Sequence, residues 1–524
     1  MYKCQCNVVL KSNSTTMSSD RKVFDVVIVG AGCAGMRAAA EVASVAGVEY
    51  VVLEAASEIG GRLRRVPDSF APRGVALDAG GEVAHGNTTE LTRLCAAAGV
   101  PLEHIFTTAQ GDGGPDDAPV HGLAGYYYYH AAGTPGKRLY RFDQLPDDAV
   151  RAHTLLQSLG ETADGSGGLA PLVALSDAQR TAVSVGQYLH ENGVTGAGVL
   201  ALLDAGYSNT VCAPSMRVMS LGNTFAFEQN WGAMDGCATS SDLHTVDCQH
   251  AMADAMRALT SRVDWARVRV NSPVVAVEQL APALTRVSCA NGAPPVLARV
   301  VIVAVPLKQL QGAAIRFAPP LEQRKRDAIA SMPLYSARKV LLKYRAIDGV
   351  PPIWPADCES CIYAEETLPE SWFHPNVLSD DGHRYHIVVG FSTAKYRDAM
   401  AAQFGDNDAE LARSFDAQLR RVFGPSRQPP PDGHFVFDWS RDAPYIGMGY
   451  SHPAQLDGRF GRDNRDLWAA FAAPEPAARR VWAGEYTAYP HAAMTLHAAL
   501  FSGKAAAHEA LALLRANANP SAKL

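Results

Sequence analysis

The sequence predicts an α/β fold built around a parallel sheet, and three observations lead there. An apolar run at residues 23–29 is followed at once by Gly30, Gly32 and Gly35. A second apolar run ends in an acid, Val51-Val52-Leu53-Glu54. At the opposite end of the chain, Trp482-Ala483-Gly484-Glu485 precedes a small-residue segment that starts at Thr495-Leu496.

The run 23–29 suits a strand covered on both faces, because such strands need no polar alternation. The glycines after it stand at the G-x-G-x-x-G spacing. Gly30 permits a tight turn, Gly32 lets the backbone approach a pyrophosphate, and Gly35 lets the following helix lie close to the strand. That helix, expected at about residues 33–46, aims its N-terminal amides at the phosphates. The next strand, Glu49 to Leu53, delivers Glu54 at 24 positions beyond Gly30. A carboxylate there can accept hydrogen bonds from an adenosine ribose. In that order these features specify a Rossmann-type βαβ unit, where a glycine triplet alone would not. Ile59-Gly60-Gly61-Arg62-Leu63 follows, a flexible turn with a guanidinium suited to a diphosphate. Read alone, it is equally an ordinary surface turn.

Near the C-terminus Thr495 is a good N-cap for a helix from about Leu496 to Leu514. Its first turn carries Ala498 and Ala499, so a bulky group can pack close. Its unpaired amides carry partial positive charge.

Together these segments resemble the flavin-dependent amine oxidases, over most of residues 24–515. Val270 to Val277, Arg299 to Leu307 and Phe317-Ala318-Pro319-Pro320-Leu321 also match that family's pattern, as do Trp439, Asp442, Pro444, Gly447 and Tyr450. The resemblance implies a discontinuous FAD-binding domain with an interleaved α+β substrate-binding domain. The FAD domain is expected from residues 23–105, 248–312 and 432–515, and the substrate domain from 106–247 and 313–431. Residues 1–22 and 516–524 are expected as tails, with Met17 as a possible alternative start. The resemblance implies FAD contacts from Gly30, Gly32, Gly35, Glu54, Gly61, Arg62, Val275, Gly484, Glu485, Thr495 and Leu496. It implies hydride transfer from an amine to the flavin, an imine that hydrolyses to an aldehyde, and O2 reduced to H2O2.

Within the family the chain looks nearest the polyamine and spermine oxidases. Thr495 replaces a tyrosine of the monoamine oxidases, and Met448 stands where those enzymes tether the flavin through cysteine, so FAD is expected to be non-covalent. His85-Gly86 resembles the histidine-glycine pair of the polyamine branch. His85, Trp439, Tyr445, Tyr450 and Tyr489 are the expected substrate walls, although core packing explains each aromatic equally well. His85, Lys308 and Thr495 are the catalytic candidates. The family's lysine near the flavin is missing, with Gln311, Ala314 or Arg316 at its usual places. Lys308 is the nearest substitute, and its register suits a solvated surface side chain better. No carboxylate for a distal ammonium can be assigned, Glu82 being the one acid near a pocket position.

Two rivals stay open. An L-amino-acid oxidase would need an arginine facing the flavin. A degenerate FAD-binding interaction protein would explain the lost lysine. A chromatin demethylase is disfavoured by the lack of a visible helical-repeat or coiled-coil insertion.

The 524 residues are 48% apolar and 19% charged, with a formal charge of −6. That balance argues against nucleic acid as a generic partner and mildly favours a cationic substrate. No apolar run reaches the roughly 18 residues that would span a membrane. The ten cysteines show no second pair to complete a zinc site with Cys358 and Cys361, so reduced thiols are expected. The terminal Ala522-Lys523-Leu524 resembles a peroxisomal address, with a cytoplasmic location as the alternative. Tyr126–Tyr129 and Arg138–Tyr140 are expected to pair as a hairpin.

Overall fold

The computed structural model describes residues 22–86, 88–104, 125–157, 159, 176, 179, 182–230, 242–245, 248–355, 358, 361–452, 465–488 and 494–518. Residues 1–21 and 519–524 of the expected tails, the loop at 108–118, the loop at 161–168, Tyr489 and the terminal tripeptide lie outside them, whereas residues 516–518, expected as tail, continue the last helix.

The βαβ unit forms as its sequence expects. Strand β1 (Val23–Val29) is apolar on both faces and is sandwiched in parallel between β2 (Tyr50–Leu53) and the strand Val296–Val303. Helix α1 (Cys33–Ala43) stops three residues earlier than expected, where Ser44 caps it. Glu49 lies outside β2, yet its carbonyl still accepts the Asp25 and Val26 amides. The sheet continues through Leu284–Cys289, Val274–Ala281 and Arg316–Ala318 on one side and Val268–Arg269 on the other, and Arg480–Trp482 adds in parallel to Val296–Val303. One sheet thus draws strands from the start, middle and end of the chain. The last helix, Leu496–Ala518, lies against α1 so closely that a Cβ on Gly503 would sit 2.1 Å from the Ala34 carbonyl oxygen.

A second sheet runs Gly433–Asp438, Ala337–Arg345, Arg384–Thr393, Glu370–Leu378, Ile362–Ala364, Tyr126–Tyr129 and Arg138–Arg141. The expected tyrosine hairpin is its edge. Successive residues of a strand face opposite sides. Val340, Leu342 and Tyr344 therefore pack with Phe404, Leu411 and Phe415 of the covering helices Ala394–Phe404 and Asp408–Phe423. The alternate residues of that strand, Ala337 and Lys339, look the other way into a cavity. Pairing across the sheet sets Lys339, Phe391, Glu370 and Tyr363 in one row, and all four line that cavity. Among the described residues no helix is long and apolar enough to cross a membrane.

Candidate active site

The two sheets enclose a cavity of about 890 Å³. That is near the upper end for small-molecule sites, roughly 300–1,000 Å³. It runs from the glycine turn after β1, past the start of the last helix, to the row of side chains on the second sheet.

At the first end the backbone is shaped for close approach. Gly30 has φ +100°, and a Cβ there would meet the Ala304 carbonyl oxygen at 2.7 Å. A Cβ on Gly35 would lie 1.9 Å from the Gly30 oxygen. Gly32 is different, because its added Cβ would touch only the Gly61 Cα, at 3.8 Å. Protein packing does not demand a glycine at 32, and the space over the turn opens to the cavity, as a close-approaching group would need. The Glu54 carboxylate accepts the Ala31 amide at 2.6 Å and the Ala56 amide at 2.8 Å. Burial raises its pKa against those hydrogen bonds. Val275 lines the same end.

Midway, Arg62 and Glu485 form an ion pair across 423 positions of sequence, at 3.0 Å. Glu485 is buried and also accepts from Ser451 N, Ser451 Oγ and Met494 N, at 3.2, 2.6 and 3.2 Å. Arg62 donates to the Gly449 carbonyl as well. The two were expected to contact a cofactor separately. They line the cavity as a neutralised pair, with Gly61 and Gly484 beside them. Thr495 caps the last helix through Oγ and the Ala498 amide, at 3.1 Å. Thr495 and Leu496 therefore present the helix start to the cavity. Behind them burial, helped by the charge of His85, holds His497 down at about 3.

The far end is a chamber. His85, Trp439, Tyr445 and Tyr450 line the cavity, though Tyr445 is 43% exposed. Tyr450 donates to the Thr210 carbonyl. Lys308 is exposed and is not among the cavity-lining residues. The fold does not bring this catalytic candidate to the site, because its short helix, Leu307–Gln311, turns it outward. Gln311 points away too, its amide donating to the Ile329 and Met332 carbonyls. Met448 is fully buried and lies outside the lining.

Sequence reasoning missed six chamber residues: Thr210, Lys339, Tyr363, Glu370, Trp372 and Phe391. Lys339 is buried and donates to the Asp78 and Gly80 carbonyls and to Glu82, at 2.9, 3.0 and 2.7 Å. Glu82 also accepts Trp372 Nε1 and His374 Nε2, each at 3.0 Å. Burial alone would raise Glu82, but the Lys339 charge and the His374 hydrogen bond outweigh it and hold Glu82 well below the carboxylate range. Among the described residues Glu370 has no such ion-pair partner. Burial pushes it up to about 7 against hydrogen bonds from Asn209 and Thr210 and the charge of Lys339.

A family model for flavin containing amine oxidoreductases matches residues 33–511. Among curated relatives, the mouse (Mus musculus) lysine-specific histone demethylase 1B is 24% identical over 442 residues, which is 81% of this chain and 46% of that protein. A human (Homo sapiens) lysine-specific histone demethylase 2 is 30% identical over 159 residues, covering 29% of this chain and 18% of the relative. The chain thus spans less than half the length of either. Cyclohexylamine oxidase from Brevibacterium oxydans IH-35A superposes with TM-score 0.70 at 19% identity, over 94% of this chain and 100% of that one. A wild-type putrescine oxidase bound to putrescine gives 0.68 at 19% identity, over 94% and 100%. At such identities the likeness is one of fold. Together with the open turn over Gly32 and the cavity that continues from it, the match over most of the chain places this protein in the flavin containing amine oxidoreductase family.

Proposed function

We infer that the chain is a polyamine oxidase that passes electrons from its substrate through FAD to O2, releasing H2O2. The observation that carries this is one cavity joining the glycine turn to an aromatic chamber lined by the buried acid Glu370, which among the described residues has no ion-pair partner. FAD supplies the hydride acceptor when bound. The chain's residues would hold it as follows. Gly30, Gly32 and Gly35 shape the turn for the pyrophosphate, Glu54 takes the ribose, and Val275 borders the adenine. Gly61, Arg62, Gly484 and Glu485 contact the middle, and Thr495 and Leu496 direct helix amides toward the ring. Met448 at the tether position supports non-covalent binding.

The reacting amine must be neutral, since its lone pair assists loss of hydride from the adjacent carbon. Free alkylamines titrate at about 10.4, by analogy with lysine. The aromatic walls Trp439, Tyr450 and Trp372 are proposed to disfavour the ammonium form and to orient the C–H. His85 borders the same space and is proposed to line the amine's path. Imine hydrolysis then yields an aldehyde and an amine. The terminal Ala522-Lys523-Leu524 supports a peroxisomal home in a host that has peroxisomes, where peroxide is contained.

The curated relatives favour a second reading, a methylated lysine side chain as substrate. Peroxide release in air would be measured with spermine, spermidine, N-acetylated polyamines, a monoamine, L-amino acids and an N-methyl-lysine peptide. Turnover of a polyamine is expected. Turnover of L-amino acids alone or of the peptide alone would replace the reading, and silence with FAD bound would favour the degenerate flavoprotein.

A further inference from the structure

We propose that Arg64 supplies a further guanidinium to the cofactor's diphosphate, and that Glu58, the exposed acid paired with it, is a latch that the diphosphate displaces. The proposal rests on the FAD reading above and concerns two residues that the sequence did not single out.

The balance of charge along the cavity leads to Arg64. Among the described residues, the lysine and arginine side chains that line it are Lys339, Arg62 and Arg64. Lys339 directs its three N–H groups to Asp78, Gly80 and Glu82. Arg62 faces Glu485, whose side chain is only 2% exposed, and the two form a neutral pair. The same end of the cavity also carries the acids Glu54 and Glu58. Backbone amides apart, the positive charge left there for an anionic diphosphate is that of Arg64.

Arg64 is placed for this role. The Gly60-Gly61 turn, with φ +108° and +60°, folds the segment back so that Glu58 meets Arg64. Gly60 donates its amide to the Ala31 carbonyl at 2.9 Å and bridges to Gly32, so this turn docks on the glycine turn after β1. The Arg64 carbonyl accepts the Ala79 and Gly80 amides at 2.9 and 3.1 Å, and its guanidinium lies 5.8 Å from the centre of the Phe437 ring. Burial raises the Glu54 carboxyl, and the Arg64 charge is among the influences that oppose it. Since Glu54 accepts the Ala31 amide, the field of Arg64 reaches the glycine turn. Arg64 Nε is buried and, among the described residues, has no hydrogen-bond partner. A buried N–H of this kind calls for an acceptor.

Glu58 is a weak partner. Its side chain is 58% exposed, against 18% for Arg64. Exposed ion pairs contribute little and exchange readily. A phosphate presents the planar guanidinium with paired oxygens, and Arg is suited to bind it through two parallel N–H groups. The anchored guanidinium stays in place and the exposed carboxylate swings out, exchanging one ionic contact for another.

The test measures the FAD dissociation constant by serial dilution of the FAD-loaded protein, with released flavin read by its fluorescence. Wild type, Glu58→Gln, Arg64→Ala, Arg64→Lys and the Glu58→Gln/Arg64→Ala double variant are compared, and the melting temperature of each is recorded. Arg64→Ala is expected to raise Kd by about 10- to 100-fold. Glu58→Gln is expected to lower Kd by about two- to fivefold, the scale of an exposed ion pair. In the double variant the effect of Glu58→Gln should vanish, because its partner is gone. Arg64→Lys keeps the charge without the planar fork; it should fall between wild type and Arg64→Ala, and it stands in if Ala does not fold. An unchanged Kd in Arg64→Ala would overturn the proposal. Weaker FAD binding in Glu58→Gln would also overturn it, making Glu58 a ligand and not a latch. So would a gain from Glu58→Gln that persists without Arg64, since plain charge repulsion would then suffice. Wild-type protein that retains no FAD would instead remove the underlying cofactor reading.

Discussion

The glycine turn and the chamber are opposite ends of one cavity, and they are encoded in opposite ways. The turn is made of backbone. Gly30 and Gly35 are fixed by contacts within a few ångströms of their own segment or of Ala304. The chamber is made of side chains from residues 82, 210, 339, 370 and 450, and no two of these elements are neighbours in sequence. A local steric rule can be read along a chain, but a charge balance among remote residues cannot.

The sharpest way to break the comparison is within the turn. Gly35→Ala puts a methyl 1.9 Å from a carbonyl oxygen. It is expected to abolish FAD retention and to cost several kcal/mol of stability, on the order of other overpacked sites. Gly32→Ala meets nothing closer than 3.8 Å. Apoprotein stability should stay within about 0.5 kcal/mol of wild type, while FAD affinity falls. Urea denaturation and flavin titration on both variants check this. If Gly32→Ala bound FAD normally, the cradle would be misassigned.

Beneath the chamber, Asp438 is fully buried between Arg338 at 2.7 Å and Arg397 at 2.8 Å. Asp438→Ala leaves the buried Arg338 guanidinium uncompensated beside Trp439 and leaves Arg397 with Asp398 alone. The expected loss is about 3–5 kcal/mol, read as a lower urea midpoint. Burial alone would raise Asp438, but the two arginines and Ser440 hold it at about 2. Its folded pKa is depressed, so its contribution is present above the unfolded value of about 3.9 and is lost as pH falls through about 2.

Smaller effects close the series. Thr495→Ala removes a helix cap and should cost about 1 kcal/mol, measured by thermal melting. Lys308→Ala alters an exposed side chain and should leave turnover and stability within error.

The βαβ unit, the N-cap at Thr495 and the tyrosine hairpin were legible because periodicity, capping and glycine spacing act over a few residues. Arg62 and Glu485 were recognised as site residues, but their ion pair was invisible, since 423 positions separate them. Glu370 was missed because nothing in Leu368-Pro369-Glu370-Ser371 distinguishes it from a solvated acid. Its place in the chamber comes from pairing with Phe391 and from the turn before Asn209. Lys308 misled because it is the nearest lysine in sequence to a position that only the fold can define.

The most direct measurement is anaerobic mixing of the FAD-loaded protein with spermidine, 1,4-diaminobutane, butylamine and L-amino acids while following visible flavin absorbance. Bleaching that is fastest with the diamine or polyamine, and reversed by air with peroxide release, is the expected result. Retained colour with every amine would contradict the claim that the chamber and the glycine turn form one catalytic site.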